Sequence, residues 1–442
     1  MQTADMVVRE AEYPDSSARW SLFKRVAFRF CFVYFGLYVF VTQMLSGLLL
    51  LPVIDVPEIG TLWPLRPMIA WTASHVFHHA EALVVTGSGS GDKTFDWVET
   101  FCLIVMASVA ATIWSLLDRN RLHYAVLHKW FRLFLRFALG TTMFSYGFIK
   151  MIPLQMPFPY LSRLIEPFGH FSPMGVLWAS IGPAPAYEIV VGSMETLGGI
   201  LVLIPRTATL GALICLTSIS QVFALNMTYD VPVKLFSFQL ILMSLFLLAP
   251  ALSRLRDFFF FNRPVRALNQ FPLFQTRRAN KIALGVQLAV LGYQIVLGLY
   301  QDAQSWKEYG GGAPKSVLYG IWDINEFTMD DRPRPPLLSD TSRWRRLVFQ
   351  FPESAASQTM DDAFVHYTAA IDHDRRVLLL TEGGAKDPAA KLTFQRPSQD
   401  QLLLDGVMNG HNVHMQLRLM DHQKFLLVNR GFHYVQEYPF NR

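Results

Sequence analysis

The pattern of apolar and polar positions divides the chain near residue 301. Before it, apolar residues run in stretches separated by short polar loops. The stretches have the roughly 20 residues needed to cross a bilayer core of about 30 Å. They predict seven spans, at about 26–51, 97–117, 132–152, 185–204, 207–226, 233–251 and 281–300. Pro205-Arg206 parts the fourth from the fifth, and Asn226 to Pro232 parts the fifth from the sixth. Connections that short make antiparallel neighbours. Residues 64–86 are apolar enough for a short interfacial or re-entrant helix, or for an eighth span. The N-terminal stretch is polar and mixed in charge, and predicts no cleavable signal peptide.

After residue 301 the period falls to two. Val413, Met415, Leu417 and Leu419 alternate with His414, Gln416 and Arg418. Further strands are predicted at 317–328, 344–351, 363–371, 376–381, 390–396, 401–407, 424–429 and 432–438. Turns at Asp372-His373-Asp374, Gly383-Gly384, Asn409-Gly410 and Asp421-His422 link them as hairpins. The predicted fold class is an α-helical membrane bundle of about seven spans plus a C-terminal all-β domain, an up-and-down barrel or a sandwich. The boundaries are 1–301 for the helical domain, 302–316 for a linker holding Gly310-Gly311-Gly312 and Pro314, and 317–442 for the β domain.

Charge follows the same division. Residues 302–442 carry 34 of the 73 Asp, Glu, Lys and Arg, and the longer first part carries 39. The net +5 splits into +7 for the first part and −2 for the second. A pI near 9 invites a nucleic-acid reading, but the positions of the basic residues remove it. With the N-terminus cytoplasmic, the predicted inner loops collect 16 Lys and Arg and the outer loops only Arg66, Lys93 and Arg163. That bias predicts a bacterial inner (plasma) membrane protein with its β domain periplasmic or extracellular. Cys31, Cys102 and Cys215 lie in apolar segments and the β domain has no cysteine, which excludes a disulfide framework or thiolate metal site there.

Ionisable residues at membrane depth are costly and mark candidate sites. Lys150 ends the run Gly140 to Lys150, and Glu188 and Glu195 lie two turns apart on one helix face. Asp230 and Lys234 are spaced to pair. Arg136 lies near the inner end of the third span, and Asp96 and Glu99 open the second. These residues, with Tyr146, Tyr187, Asn226 and Tyr229, are expected to line a polar cavity open to the outside. Lys150 and Glu195 are the candidate working pair. The alternative is structural: snorkelling lysines and a loop staple. His75, His78 and His79 have spacings that can chelate a metal, but no third ligand follows, so a solvated helix face is expected and no metal is predicted. Thr86 to Asp92 alternates Gly with Ser like a flexible linker, and lacks the Gly-Lys-Ser/Thr of a phosphate loop. Arg343, Arg345 and Arg346 read as a solvated strand face or a contact with lipid head groups.

Three motifs resemble the DoxX/DoxD family of small membrane proteins: Arg136 to Gly140 (Arg-Phe-x-Leu-Gly), Gly147-x-x-Lys150, and Glu195-x-x-Gly198-Gly199. The Asn226 to Lys234 run completes the likeness, which covers about residues 130–250. The resemblance implies a four-helix bundle with Lys150, Glu195, Asp230 and Lys234 facing its polar interior, and a role beside quinone-linked or thiol-linked redox enzymes. Gly320-Ile321-Trp322 is similar to the Gly-x-Trp of lipocalins, which implies a calycin-like barrel holding an apolar ligand; a packed core is the alternative. Helices followed by a β-rich outer domain also look like the vitamin K-dependent carboxylase architecture, with no residue motif to carry that likeness.

The functional expectations follow. The first is a subunit of a quinone-linked membrane redox complex, with a bound quinone and a redox partner subunit in the lipid bilayer. The second is a transport or ligand-binding module whose barrel captures an apolar or lipid-like molecule. The third is an envelope assembly factor or a carboxylase-like membrane enzyme. No haem-attachment motif, Rossmann glycine pattern or nucleophile elbow is present.

Overall fold

The computed structural model describes residues 19–49, 56–85, 92–265 and 272–441. Leu50 and Leu51 of the first predicted span, the Thr86–Gly91 linker, and Arg9 and Arg266 of the charge count lie outside the described residues. The helices are α1 (Leu22–Val41), α2 (Met44–Leu49), α3 (Leu65–His75), α4 (Thr94–Leu117), α5 (Ala125–Met151), α6 (Leu161–Ile165), α7 (Pro173–Ile181), α8 (Pro185–Leu203), α9 (Ala208–Thr228), α10 (Lys234–Leu248), α11 (Leu252–Phe259), α12 (Arg277–Glu308) and α13 (Leu426–Asn429). The chain forms two compact units: Met1–Met151 with Val190–Asp302, and Ile152–Ile189 with Ala303–Arg442.

The first unit is helical and membrane-embedded. Among the described residues five helices are long and apolar enough to cross a bilayer: α4, α8, α9, Lys234–Phe259 and α12. This corrects the expected seven. The other two candidates are helices, but too polar to count as spans by composition. α1 carries Lys24, Arg25 and Arg29 and stops at Thr42, short of residue 51; α5 carries Lys129, Arg132, Arg136 and Lys150. Arg25, Arg29 and Lys150 are buried among them. Arg29 is fully buried and donates to Tyr124 Oη, Ser115 Oγ and the Asp118 carbonyl. Its pairing satisfies the cost of a buried cation. α3 has 11 residues, far short of a span, and His75 stacks on Trp71 with ring centroids 4.7 Å apart. Among the described residues no group of His, Cys, Asp or Glu has the geometry to hold a metal.

Helices α5 and α8 meet along a glycine seam. A Cβ on Gly147 would lie 2.7 Å from the Gly192 carbonyl, and one on Gly199 would lie 2.9 Å from the Gly140 carbonyl. Both helices repeat glycine every seven residues, at 140 and 147 and at 192 and 199, so the small faces stay in register over two turns.

The second unit is a closed barrel. Its strands are β1 (Gly320–Met329), β2 (Arg332–Pro333), β3 (Trp344–Phe349), β4 (Ser354–Thr359), β5 (Phe364–Asp372), β6 (Val377–Glu382), β7 (Ala390–Ser398), β8 (Gln401–Met408) and β9 (His411–Met420). Eight run antiparallel in the order β1-β3-β4-β5-β6-β7-β8-β9, and β9 pairs with β1; β2 only extends β1. Asn409 and Gly410, both at positive φ, make the two-residue β8–β9 turn. Inward positions alternate along each strand, and Trp322, Leu347, Phe349, Leu380, Leu404 and Met415 are buried together in the interior. Eight strands leave about this much room, so the packed-core alternative describes the barrel.

Two predicted strands are absent. Residues 424–429 form a short helix, and 432–438 form no strand, with Phe432, Tyr434 and Tyr438 exposed. Closure of β9 on β1 leaves no edge for them to extend. Two strands were not predicted: the two-residue β2, and β4, which reads Ser-Ala-Ala-Ser-Gln-Thr without the branched or aromatic residues that mark strands. The basic cluster is also corrected. Arg343 is 2% exposed and donates to the carbonyls of Arg334, Ile324 and Trp344, while Arg345 pairs with Asp362 at 2.5 Å and Arg346 with Asp323 at 2.7 Å.

Candidate functional site

The glycine seam places Lys150 beside Glu195. Lys150 is one turn beyond Gly147, and Glu195 lies between Gly192 and Gly199. Lys150 Nζ donates to Glu195 Oε2 at 2.6 Å and Oε1 at 2.9 Å, and to the Tyr146 carbonyl at 3.3 Å. The Tyr146 ring lies beneath the ammonium, 5.3 Å to its centroid. Lys150 is 4% exposed and Glu195 1%. All three ammonium protons are donated, so the pair is closed on itself.

A second polar group in the same unit surrounds a cavity of about 20 Å³, room for a water, lined by Tyr38, Thr42, Gln43, Glu58, Lys93, Asp96, Glu99, Thr100, Leu235 and Phe236. Asp96 is the third residue of α4, and its carboxylate accepts from the Lys93 N–H at 2.9 Å. That is a capping position where the helix dipole favours negative charge. Glu99, one turn on, is 4% exposed, and its Oε1 has no hydrogen-bond partner among the described residues. A Cβ on Gly60 would overlap that oxygen. Glu58 precedes α3 outside the spans; burial, then the nearby Asp96 charge, raise its pKa, and Lys93 opposes them.

The other predicted cavity residues stand elsewhere. Arg136 donates to the Val202 carbonyl at 2.6 Å and to the Leu203 carbonyl, holding the C-terminal end of α8. Asn226 closes the α9–α10 turn through the Val233 carbonyl and Ser237 Oγ. Asp230 is 81% exposed and pairs with Lys234 at 2.8 Å as a surface staple. Tyr187 is exposed. Glu188 is buried in the second unit, where its Oε1 accepts from the Met156 N–H at 3.0 Å. Sequence reasoning missed Glu58, Gly60 and Tyr38. Glu58 stands in a polar loop far from α4, and no spacing rule joins it to Glu99.

A cavity of about 700 Å³ belongs to the second unit and lies outside the barrel. One wall is the inserted segment Pro157–Ala179, and the other is Asp362–Phe364 with His366, at the start of β5. Leu161 anchors the segment by packing on Ile321 and Val348, and its N–H donates to Gln350 Oε1 at 3.0 Å. Ser172 caps α7, accepting from the Gly175 N–H at 3.1 Å, with Pro173 at the first helical position. Phe158, Tyr160, Phe171, Trp178 and Phe364 supply aromatic walls; Arg163, His170 and His366 supply polar tips. Arg163 pairs with Glu166 at 2.5 Å and lies 5.3 Å from the Phe171 centroid.

No family model matches the chain, and no solved structure does; the DoxX likeness therefore stays at its short motifs. Over 127 residues the chain is 33% identical to the uncharacterized protein YwoB of Bacillus subtilis, covering 27% of this chain and 72% of that protein.

Proposed function

The chain belongs to the family of the uncharacterized Bacillus subtilis protein YwoB, and we propose that it is a membrane module that binds an amphiphilic small molecule of the quinone or lipid class. The observation that carries this reading is the 700 Å³ aromatic cavity outside the barrel. Its volume falls in the range of about 300–1,000 Å³ usual for small-molecule sites, and a mostly apolar lining with a few polar tips is the usual composition. Capture inside the barrel is dropped, because side chains fill the interior. The volume and aromatic walls of this cavity are what favour a quinone ring there. Such a ring does not fit the water-sized cavity of the helical unit.

A second reading is a subunit of a quinone-linked redox complex. The Lys150–Glu195 pair favours it: a buried ion pair adds little stability over apolar residues of the same volume, so its presence at membrane depth argues for a task. We further propose the orientation from the last span alone. Arg277, Arg278 and Lys281 open α12, whereas its far end carries Asp302 and Glu308 with one basic residue, Lys307. Basic residues stay on the cytoplasmic side, which puts the barrel outside.

One experiment separates the readings. Full-length protein purified in mild detergent is extracted, and its bound quinone or lipid quantified, for wild type, Ala179→Trp (filling the aromatic cavity) and Glu195→Gln. Stoichiometric ligand lost only in Ala179→Trp supports the first reading. Quinone lost only in Glu195→Gln supports the second. Clean wild-type protein without either ligand refutes both and leaves the assembly role.

A further inference from the structure

We propose that Glu99 is an exchangeable proton-binding site inside the helical unit, framed by Asp96, Glu58 and Lys93 around the water-sized cavity. Three carboxylates and one ammonium line that cavity, and like-charged carboxyls sharing a site do not all ionise. The partners are unequally distributed. Asp96 has the Lys93 N–H and the α4 N-terminus. The Lys93 ammonium itself donates to the Val85 carbonyl at 3.4 Å. Asp92 is held by the N–H groups of Lys234 and Leu235, both at 2.8 Å, and pairs with the Lys234 ammonium at 3.8 Å. Glu99 has none of these. Its Oε1 is buried without a donor over the Gly60 backbone.

An anion left so is costly, whereas a protonated carboxyl becomes a donor to a neighbouring carboxylate or to water. From α1, Tyr38 lines the same cavity; from α10 the wall is Leu235 and Phe236, and the Lys234 ammonium before them is paired with Asp230 at 2.8 Å and Asp92 at 3.8 Å. The group does not form a metal site among the described residues. The step is a proton transfer alone: Glu99 takes a proton that originates as hydronium in bulk solvent, passed on by the cavity water, which is left as water, and returns it by the same route. It involves different side chains from either ligand reading and stands whether or not a quinone binds.

The probe is dicyclohexylcarbodiimide, which modifies protonated carboxyls in apolar surroundings and spares carboxylates. Full-length protein in detergent is reacted across a pH series and mapped by peptide mass spectrometry. Glu99 is expected to be the labelled carboxyl, with labelling falling as pH rises. Asp96→Asn removes the nearest like charge and should lower the midpoint by about one pH unit, a tenfold change at fixed pH. Gly60→Ala should change Glu99 labelling by displacing its carboxyl; Gly285→Ala, with nothing within 4 Å, should not. If the variants fail to fold, the wild-type pH series decides. Glu99 left unlabelled, labelling indifferent to pH, or protection by sodium ions would each overturn the proposal, the last by making the site one for a cation.

Discussion

Glu195→Gln keeps the shape of one half of the buried ion pair and removes its charge. In the native bundle both Glu195 oxygens accept from Lys150 Nζ, at 2.6 and 2.9 Å. After the substitution the ammonium keeps the Tyr146 carbonyl and loses its counter-charge. Orphaning one partner of a buried pair costs about 3–5 kcal/mol, or roughly two to four powers of ten in the folding equilibrium. Replacing both partners with apolar residues of similar volume, Lys150→Met with Glu195→Leu, removes the orphan. That double variant is expected within about 1 kcal/mol of wild type, or above it. Unfolding by dodecyl sulfate in mixed micelles, followed by circular dichroism at helical wavelengths, measures all four corners of the cycle. A single variant within about 1 kcal/mol of wild type would refute the burial of the pair. A double variant as damaged as the single ones would show that charge pairing is not the source of the loss.

Four further outcomes follow. Arg343→Met leaves three buried carbonyls without their donor and should destabilise the barrel by about 2–3 kcal/mol, read as lost hydrogen-exchange protection in β1 and β3. Asp92→Ala strips the cap from α10 and should cost about 1 kcal/mol in the same micelle titration. Burial holds the His422 imidazole below its usual 6.5, with Lys315 adding and Asp421 opposing. The unfolded chain then takes up that proton first, so barrel stability falls as pH drops through 6.5 toward the folded value; a His422→Gln variant should flatten that slope in thermal unfolding of the full chain. A phosphatase fused after Arg442 should be active in cells; a silent fusion beside a fluorescent one would reverse the proposed orientation.

Both halves of the fold were legible because each has a period set by its own backbone. Continuous apolar runs mark α4, α8, α9, α10 and α12, and strict alternation marks β9 and most of its neighbours. The failures have a common form. β4 is a strand through the pairing of β3 and β5 on either side, although its six residues carry no strand signal. Residues 432–438 alternate like a strand and have no edge to join. α1 and α5 are too charged for spans because their arginines answer to partners inside the bundle, such as Tyr124 for Arg29.

The site divides in the same way. Sequence alone singled out Lys150, Glu195, Asp96 and Glu99, because charge inside an apolar run stands out whatever the fold does with it. It also carried the glycines that let Lys150 reach Glu195. Only the tertiary structure decided which of these residues meet. It joined Lys150 to Glu195 across 45 positions, set Glu58 and Tyr38 beside Glu99, and set Arg136, Asn226, Asp230 and Lys234 in contacts at helix ends and turns. It also placed the ligand-sized cavity outside a barrel whose interior is full. Periodicity reports how each segment meets its solvent; long-range packing chooses the partners, and no local spacing encodes that choice.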